Sequence, residues 1–302
     1  MQQIHNTINT WYLENARDLP WRRPGVSGWE VMVSEFMLQQ TPVVRVLPVW
    51  EEWMRRWPRP QDLAAEPLSE ALKAWGRLGY PRRAQRLHAA AVEITTEYNG
   101  EVPRTEAELL ALPGIGSYTA AAIACFAFGE RTVVVDTNIR RVHARLFGGM
   151  ALPEPSPRAS EFARAAEVQP EDHQAANLWN ISVMELGALV CTARSPKCEQ
   201  CPVFQQCAWI AQGQPAPHYI PKGQAWKGTD RQVRGAIMAI LREHEQAVPE
   251  QSFLAELSHE SHARYVALDQ LQSPLEQRER ALAGLLKDGL AIAEEDGIRL
   301  PS

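Results

Sequence analysis

Long apolar runs are missing from this chain of 302 residues. The most continuous one, residues 119–128, is about half the length that a bilayer-spanning helix needs. The first residues also lack the basic start and apolar core of a secretory signal. Disorder is excluded for the chain as a whole, because 45% of the residues are hydrophobic and the net charge is only -5. We therefore expect a globular cytoplasmic protein of two or three domains that makes no contact with a membrane.

An excess of basic residues is also absent, which counts against nucleic acid as a partner because phosphate binding depends on Lys and Arg. The charge is unevenly spread, however. Residues 226–302 hold 9 Lys and Arg against 13 Asp and Glu, so most of the net charge of -5 belongs to this tail. Residues 71–92 contain basic side chains without an acid, namely Lys73, Arg77, Arg82, Arg83 and Arg86. This stretch is either a phosphate-facing patch or a solvated helix face, and charge alone favours neither.

Strand-like alternation of apolar and polar residues is scarce, which excludes a protein built mainly from sheets. Up to about residue 210 the apolar residues recur at helical spacing between proline-containing breaks, so the predicted fold class is all-α. The clearest helical segments are residues 29–39, 47–57, 68–78 and 84–97. A further helix is expected after Asp136, with Arg140, Arg141 and Arg145 on its polar side.

The end of the chain differs from the rest in composition. Residues 211–227 are rich in Gln, Gly and Pro and predict a linker. Beyond it, residues 228–302 predict a small C-terminal α/β module, with an amphipathic helix at 275–286 and a hairpin around Asp296-Gly297. Helices that end in a hairpin indicate a winged-helix-like arrangement.

A tight turn at Pro113-Gly114-Ile115-Gly116 separates two predicted helices. The first helix opens with a capping box at Thr105–Glu108, and the second begins at Ser117. This is a helix-hairpin-helix signature, in which glycines such as Gly114 and Gly116 let backbone N–H groups approach a DNA phosphate. The same residues also occur in ordinary turns between helices.

Cysteines are few, but most of them are close together. Four of the 5 cysteines are Cys191, Cys198, Cys201 and Cys207, and the fifth, Cys125, lies alone in an apolar helix. In a cytoplasmic chain such a group more often holds a metal than disulfides. Zinc sites usually pair two short knuckles, whereas this spacing contains one, which favours a [4Fe–4S] cluster. Arg194 and Lys197 in the first loop are either phosphate contacts or solvated side chains.

The cysteine spacing, the Leu112–Gly116 turn and Val135-Asp136-Thr137-Asn138 together resemble the helix-hairpin-helix DNA glycosylases that carry an iron–sulfur cluster, a family that includes endonuclease III. The resemblance covers roughly the first two thirds of the chain. Within that family, Leu19-Pro20-Trp21-Arg22 and the segment 34–41 are similar to the MutY-type adenine glycosylases. The resemblance implies an iron–sulfur cluster domain from residues 1–21 and 134–210, and a six-helix domain from residues 22–133.

Two carboxylates, Asp136 and Glu35, could have purely structural roles if the sequence is considered without the resemblance. Asp136 is a good helix N-cap, and Glu35 lies among apolar residues as either a surface residue or a buried acid with a raised pKa. The resemblance implies that Glu35 protonates N7 of adenine and that Asp136 stabilises the positive charge on the sugar, with Asn138 in support. Tyr118 stands where lyase-competent relatives carry a nucleophilic lysine. A tyrosine cannot form a Schiff base, so a monofunctional enzyme is implied.

The resemblance also implies that the target base is flipped out of the duplex. Gln40 and Tyr80 match positions that wedge into the base stack. The residues implied to lie close to the duplex or to line the adenine pocket are Gln39, Thr41, Trp21, Arg22 and Leu38.

The chain departs from many relatives at three places. Pro81 follows Tyr80 where a second tyrosine is common, and Ile181 stands where Gln or Glu is common. The acidic tail also lacks the pattern of the Nudix-like domain with which many MutY-type enzymes recognise 8-oxoguanine.

We therefore expect a monomeric, monofunctional glycosylase that removes adenine opposite 8-oxoguanine or guanine in double-stranded DNA, with a [4Fe–4S] cofactor and a nucleoid-associated location. One alternative is a T/G or U/G mismatch glycosylase, which residues 37–41 disfavour. Another is a bifunctional lyase, which Tyr118 and Arg140 disfavour. The third is a non-catalytic iron–sulfur DNA-binding protein, which the presence of both Glu35 and Asp136 disfavours.

Overall fold

A computed structural model describes residues 1–221, 223, 225–254, 268 and 270–302. The chain is mostly helical, and the named strands in these ranges form one two-stranded antiparallel sheet near the C-terminus. This confirms the predicted all-α core with a small α/β element at its end. Within the same ranges, none of the helices has the length and apolar character that a bilayer crossing needs.

The chain folds as two compact units. Unit 1 combines residues 1–35 with 103–222, and unit 2 combines residues 36–102 with 223–302. The C-terminal residues 223–302 therefore share a unit with an internal segment rather than standing apart. The division into a cluster domain, a six-helix domain, a linker and a module stays a prediction, because compactness alone does not test it.

Unit 1 is built around a continuous apolar core. Its centre contains Ile8, Val142, Trp179 and Val183, all at most 2% exposed. The helices are α1 Gln2–Asn15, the start of α2 Gly28–Leu38, α7 Glu106–Ala111, α8 Ser117–Phe128, α9 Thr137–Leu146, α10 Ala159–Val168, α11 His173–Leu189 and α12 Ala208–Ala211, with 3-10 turns at Pro20–Arg22, Cys198–Gln200 and Phe204–Gln206.

The predicted helix-hairpin-helix is confirmed in α7 and α8. Thr105 caps α7 by accepting a hydrogen bond from the backbone N–H of Glu108, and the Glu108 side chain completes the capping box. In the turn that follows, Gly114 has φ of 78°, a left-handed conformation that a residue with a Cβ rarely adopts. Helix α8 ends at Gly129, which also lies in the left-handed region.

Unit 2 has a core of tryptophans. Trp53 packs edge to face against Trp57 and Trp75, with ring centroids 4.9 and 5.6 Å away. The helices and strands are the end of α2, α3 Val43–Arg56, α4 Pro60–Ala64, α5 Leu68–Trp75, α6 Arg82–Glu97, α13 Asp230–Glu243, α14 Gln251–Leu254, α15 Leu275–Lys287, β1 Ile292–Glu294 and β2 Gly297–Arg299. Helix α5 ends three residues before the predicted end at Leu78, because Gly76 takes φ of 53° and turns the chain.

The predicted C-terminal hairpin and helix are both present. Strand β1 pairs with β2 in antiparallel register, with Glu294 opposite Gly297, and Val248 adds a bridge to Ile298. Helix α15 extends one residue beyond the predicted 275–286. Residues 255–267 and 269 of the predicted module, and 222 and 224 of the predicted linker, lie outside the described residues. The winged-helix-like arrangement stays a prediction.

The arginines of α9 correct one expectation. Arg140, Arg141 and Arg145 do not lie on a polar surface, since each is at most 9% exposed. Arg140 pairs with Glu161, and the other two donate to backbone carbonyls of neighbouring segments. Their spacing places the three arginines on one face of the helix, but it does not show that other segments pack against that face.

Candidate active site

Glu35 lies in α2 with its side chain inside unit 1, where the residue is 7% exposed. Burial raises its pKa to about 7, while the hydroxyl of Tyr118 and the charge of Arg22 oppose the rise. The Tyr118 hydroxyl donates to Oε2 of Glu35 at 2.9 Å. An acid whose pKa lies near neutrality can both hold and release a proton under ordinary conditions, which is what general acid catalysis requires.

Tyr118 is the second residue of α8, directly after the hairpin turn. Burial and the neighbouring carboxylates of Glu35 and Asp136 raise the pKa of Tyr118 well above its usual value. The phenol therefore stays neutral and acts as a hydrogen-bond donor.

Asp136 is the N-cap of α9, as one of the two interpretations of the sequence predicted. Its Oδ1 accepts from the backbone N–H of Ile139 at 2.6 Å, and its Oδ2 accepts from Nδ2 of Asn138 at 2.8 Å. Burial raises the pKa of Asp136, and these hydrogen bonds oppose the rise because they stabilise the ionised form. The capping geometry thus holds a carboxylate in a fixed position at the positive end of a helix.

Asn138 is itself held by Arg141, whose Nη2 donates to Oδ1 of Asn138 at 2.7 Å and to the carbonyl of Gly187 at 2.6 Å. A Cβ added at Gly187 would lie 2.7 Å from Cβ of Asn138, so helices α9 and α11 approach closely only because residue 187 is glycine. Arg141 was not among the expected site residues.

Arg22 is placed by a glutamate that the sequence analysis missed. Glu185 in α11 is fully buried and accepts from Nε and Nη2 of Arg17 at 2.7 and 2.6 Å, and from Nη1 of Arg22 at 2.9 Å. Burial raises the pKa of Glu185, but the two arginines outweigh it and bring the pKa to about 2. An acid between Met184 and Leu186 in an apolar helix was the signal available in the sequence. Trp21, beside Arg22, is 5% exposed.

Unit 2 holds the residues matched to the wedge. Gln40 and Tyr80 both have left-handed backbones, with φ of 55° and 49°, which is strained for residues other than glycine. Both turns are fixed by Arg83, which is 6% exposed.

The contacts of Arg83 reach both turns. Its guanidinium donates to the carbonyls of Phe36, Met37 and Gln39 at 2.7–2.8 Å, and also to the carbonyls of Leu78 and Gly79. Thr41, expected beside the duplex, is 6% exposed and accepts from the same guanidinium at 2.9 Å. Leu38 and Gln39 are half-buried at the end of α2 and in the turn after it.

The basic stretch at 71–92 is therefore not one continuous patch. Arg83 lies inside unit 2, Lys73 pairs with Glu70 at 2.9 Å, and Arg82 pairs with Asp288 at 3.3 Å. Arg77 and Arg86 are exposed. Arg83 is neither a phosphate contact nor a solvated side chain. It is a buried cation whose hydrogen bonds hold the backbone of two turns.

The four clustered cysteines line one cavity in unit 1, together with Arg145, Val190 and Trp209. Arg145 donates to Sγ of Cys191 at 3.4 Å and lies over the ring of Trp209 at 4.8 Å. In the portion of the chain that the structure describes, no group of three or more His, Cys, Asp or Glu side chains converges as a single metal ion requires. The four cysteines thus supply four thiol sulfurs to one cavity, which is the ligand set of a [4Fe–4S] cluster.

The remaining expected contacts lie at the surface of unit 1. Gly114 and Gly116 in the hairpin turn are exposed, as are Arg194 and Lys197 in the first cysteine loop. Unit 1 thus brings together Glu35, Tyr118, Asp136, Asn138 and Arg22, whereas the wedge residues belong to unit 2.

Comparison with known proteins gives the family of the chain. Residues 33–168 match the model of the HhH-GPD superfamily of base excision DNA repair proteins, and residues 191–207 match the iron–sulfur binding domain of endonuclease III. The chain is 48% identical over 288 residues to an adenine DNA glycosylase of Mycolicibacterium smegmatis, covering 95% of this chain and 92% of the relative. It is 46% identical to one of Mycobacterium tuberculosis, covering 95% and 90%.

The chain belongs to the adenine DNA glycosylase family. It is a DNA N-glycosylase of base excision repair with a [4Fe–4S] cluster. Among solved structures, a thermostable thymine-DNA glycosylase matches with a TM-score of 0.63 at 29% identity, covering 70% of this chain and 96% of that one. A non-covalent endonuclease III–DNA complex matches with a TM-score of 0.59 at 24% identity and shares the fold.

Proposed function

We propose that this adenine DNA glycosylase removes adenine mispaired with 8-oxoguanine or guanine, and that it acts without lyase activity. The observation that supports this most is the buried Glu35, with its pKa near 7, in the same unit as the capped carboxylate of Asp136. A carboxyl group with a pKa near neutrality and a second one whose hydrogen bonds favour its ionised form suit cleavage of a glycosidic bond.

The reaction begins when Glu35 donates its proton to N7 of the flipped adenine. The N-glycosidic bond then breaks, and its electron pair leaves with the base. Positive charge develops on the sugar and faces Asp136, which Asn138 and the N-terminus of α9 hold in place. Water then adds to C1′ of the sugar and loses a proton to the ionised Glu35, which regenerates the acid and leaves free adenine and an abasic site.

Tyr118 positions Glu35 in this reaction rather than attacking the sugar. Its hydroxyl donates to Glu35, and its raised pKa keeps the phenol neutral. Because Tyr118 carries a phenol and not an amine, it cannot form a Schiff base with the sugar.

We assign the remaining residues from the family resemblance. Trp21, Arg22 and Leu38 bind the adenine. Gln40 and Tyr80 wedge into the base stack, with Gln39 and Thr41 supporting them. The backbone at Gly114 and Gly116 binds a phosphate.

Cys191, Cys198, Cys201 and Cys207 would hold the cluster, because all four line one cavity. Arg145 fixes that segment by donating to the carbonyls of Thr192 and Ala193 at 2.7 and 3.2 Å. The protein is expected to act as a monomer on DNA of the nucleoid.

A thymine-mismatch activity is the second candidate, because the thymine-DNA glycosylase shares the fold at 29% identity. The test is single-turnover cleavage of A:8-oxoguanine, A:G, T:G and U:G duplexes by the wild type. Adenine release from the first two duplexes supports the proposal, and release of thymine or uracil alone contradicts it. Trapping with borohydride gives no covalent adduct if the enzyme is monofunctional.

A further inference from the structure

Arg83 bonds to the turns of both wedge residues. Gln40 lies in residues 38–41 and Tyr80 in residues 78–80, and we call these two segments the wedge turns. The acceptors of Nη1 are the carbonyls of Phe36, Met37 and Gln39, and those of Nη2 are the Thr41 hydroxyl and the carbonyls of Leu78 and Gly79. Because the guanidinium is planar and rigid, a shift of one wedge turn is transmitted to the other.

The end of α2 explains why a cation is buried at this place. Helix α2 ends at Leu38, so Phe36 and Met37 belong to its last turn, where the carbonyls have no partners within the helix. A positive charge at this end is also favoured by the helix dipole. Burial lowers the pKa of Arg83 to about 10, so the side chain stays protonated at neutral pH.

The guanidinium of Arg83 is itself held by aromatic rings. Its Cζ lies 5.1 Å from the ring centroid of Trp75 and 5.6 Å from that of Tyr80. Nε1 of Trp75 donates to the carbonyl of Gly79 at 2.9 Å, and the same carbonyl accepts from Arg83 at 3.0 Å. Arg83 therefore contacts the wedge turn of Tyr80 through both its backbone and its ring.

The two wedge turns are strained as well as connected. Gln40 and Tyr80 have φ of 55° and 49°, and residues with a Cβ keep such a backbone only where their surroundings fix it. Thr41 joins the turns a second time, because its hydroxyl accepts from Arg83 at 2.9 Å and lies 3.4 Å from the carbonyl of Leu78. The hydrogen bonds of Arg83 and Thr41 supply the constraint that the strained backbone needs.

We propose that Arg83 is a positioning residue that couples Gln40 to Tyr80, so that both side chains enter the base stack together when adenine is extruded. The proposal rests on the proposed function, in which these two side chains form the wedge. Extrusion requires the target base to be unstacked and unpaired, and inserted side chains offset this energy only when they are held in the right place. Without the coupling each side chain inserts alone, and the adenine returns to the stack more often before it is cleaved.

The experiment is a double-mutant cycle of Arg83→Lys and Tyr80→Ala, measured by single-turnover excision from an A:8-oxoguanine duplex. Lysine keeps the charge, but its ammonium group is a single point that cannot span both wedge turns. Arg83→Lys is expected to lower the rate constant by about 10–100-fold, since a small misplacement far from the chemistry has an effect of this size. In the Tyr80→Ala background the same substitution is expected to lower it by about threefold or less, because residues that act together give non-additive effects.

Arg242→Lys is the matched control. Burial lowers the pKa of Arg242 to about 10 as well, but its Nε donates at 3.0 Å to the carbonyl of Leu72 in α5, outside the wedge turns. The rate constant of this variant is expected to equal that of the wild type. The amplitude of each reaction gives the fraction of active molecules, so partial unfolding lowers the amplitude and leaves the rate constant unchanged.

A second cycle leaves Arg83 in place and combines Gln40→Ala with Tyr80→Ala. Gln40 is exposed and Tyr80 is half-buried, so both substitutions leave the core of unit 2 intact. Their effects on the rate constant are expected to be non-additive, since the loss of either side chain leaves the other without its partner. This cycle tests the coupling even where Arg83→Lys yields little folded protein.

Several results would overturn the proposal. One is an equal effect of Arg83→Lys in both backgrounds, and another is a lowered amplitude with an unchanged rate constant, since the arginine would then act on stability alone. Additive effects of Gln40→Ala and Tyr80→Ala also overturn it. In each case adenine release by the wild type still supports the proposed function. A wild type that releases no adenine contradicts the proposed function itself and overturns the proposal with it.

Discussion

Glu35 and Glu185 are two buried glutamates of unit 1 in opposite electrostatic environments. Burial raises the pKa of Glu35 to about 7, and the only opposition from its hydrogen-bond partner Tyr118 is that of a neutral hydroxyl. Glu185 meets two guanidiniums, and its pKa falls to about 2 although it is buried as well. The difference shows that the partners, rather than depth, decide whether a buried acid is a proton donor or a fixed charge.

Glu35→Gln tests the donor side and has the largest expected effect. The amide keeps the shape of the side chain but has no acidic proton to give. Single-turnover adenine excision is expected to fall by about 10²–10⁴-fold, the usual contribution of general acid catalysis. Duplex binding is expected to stay close to wild type, and a fully active variant would contradict the assignment.

Glu185→Gln tests the fixed-charge side through stability. Removing this carboxylate leaves Arg17 and Arg22 without their buried partner, and breaking a buried pair costs roughly 3–5 kcal/mol of unfolding free energy. Asp18→Asn is the control, because Asp18 pairs with Arg23 at an exposed position. Chemical denaturation at neutral pH is the measurement, and equal stability of both variants would argue against the role of Glu185.

In the same denaturation assay, Glu35→Gln is expected to increase the unfolding free energy, whereas Glu185→Gln lowers it. The pKa of Glu35 is higher in the folded state than its ordinary value of 4.5, so its contribution to stability is present at low pH and is lost as pH rises through about 7. At pH 8 the variant should therefore be more stable than wild type by up to about 3 kcal/mol, and the difference should vanish near pH 4. A variant less stable at pH 8 would show that Glu35 is ionised without penalty.

Tyr118→Phe removes only the hydroxyl that contacts Glu35, and it has the smallest expected effect. The hydroxyl lowers the pKa of Glu35, so its loss should move the alkaline limb of the excision profile to higher pH. The wild-type rate should decline above pH 7 as Glu35 loses its proton. An unshifted limb in the variant would mean that another group sets the profile.

Local sequence patterns predicted much of the fold and part of the site. The capping box at Thr105, the glycine turn after it and the terminal hairpin depend on neighbouring residues and were confirmed. The grouping of the four cysteines around one cavity also followed from their spacing.

The roles of buried charges were not predictable in this way. Arg17 and Glu185 are 168 residues apart, and Arg83 reaches a turn more than 40 residues away. Amphipathic spacing gives the faces of a helix but not what packs against them. A buried arginine and a solvated one therefore look alike in the sequence.

The most direct test of the account is a ¹³C NMR titration of the glutamate carboxyl groups in wild type and Glu35→Gln. We predict one carboxyl resonance that titrates near pH 7 in the wild type and is missing from the variant. Disappearance of a resonance that titrates in the ordinary acidic range would contradict the assignment of Glu35 as the proton donor.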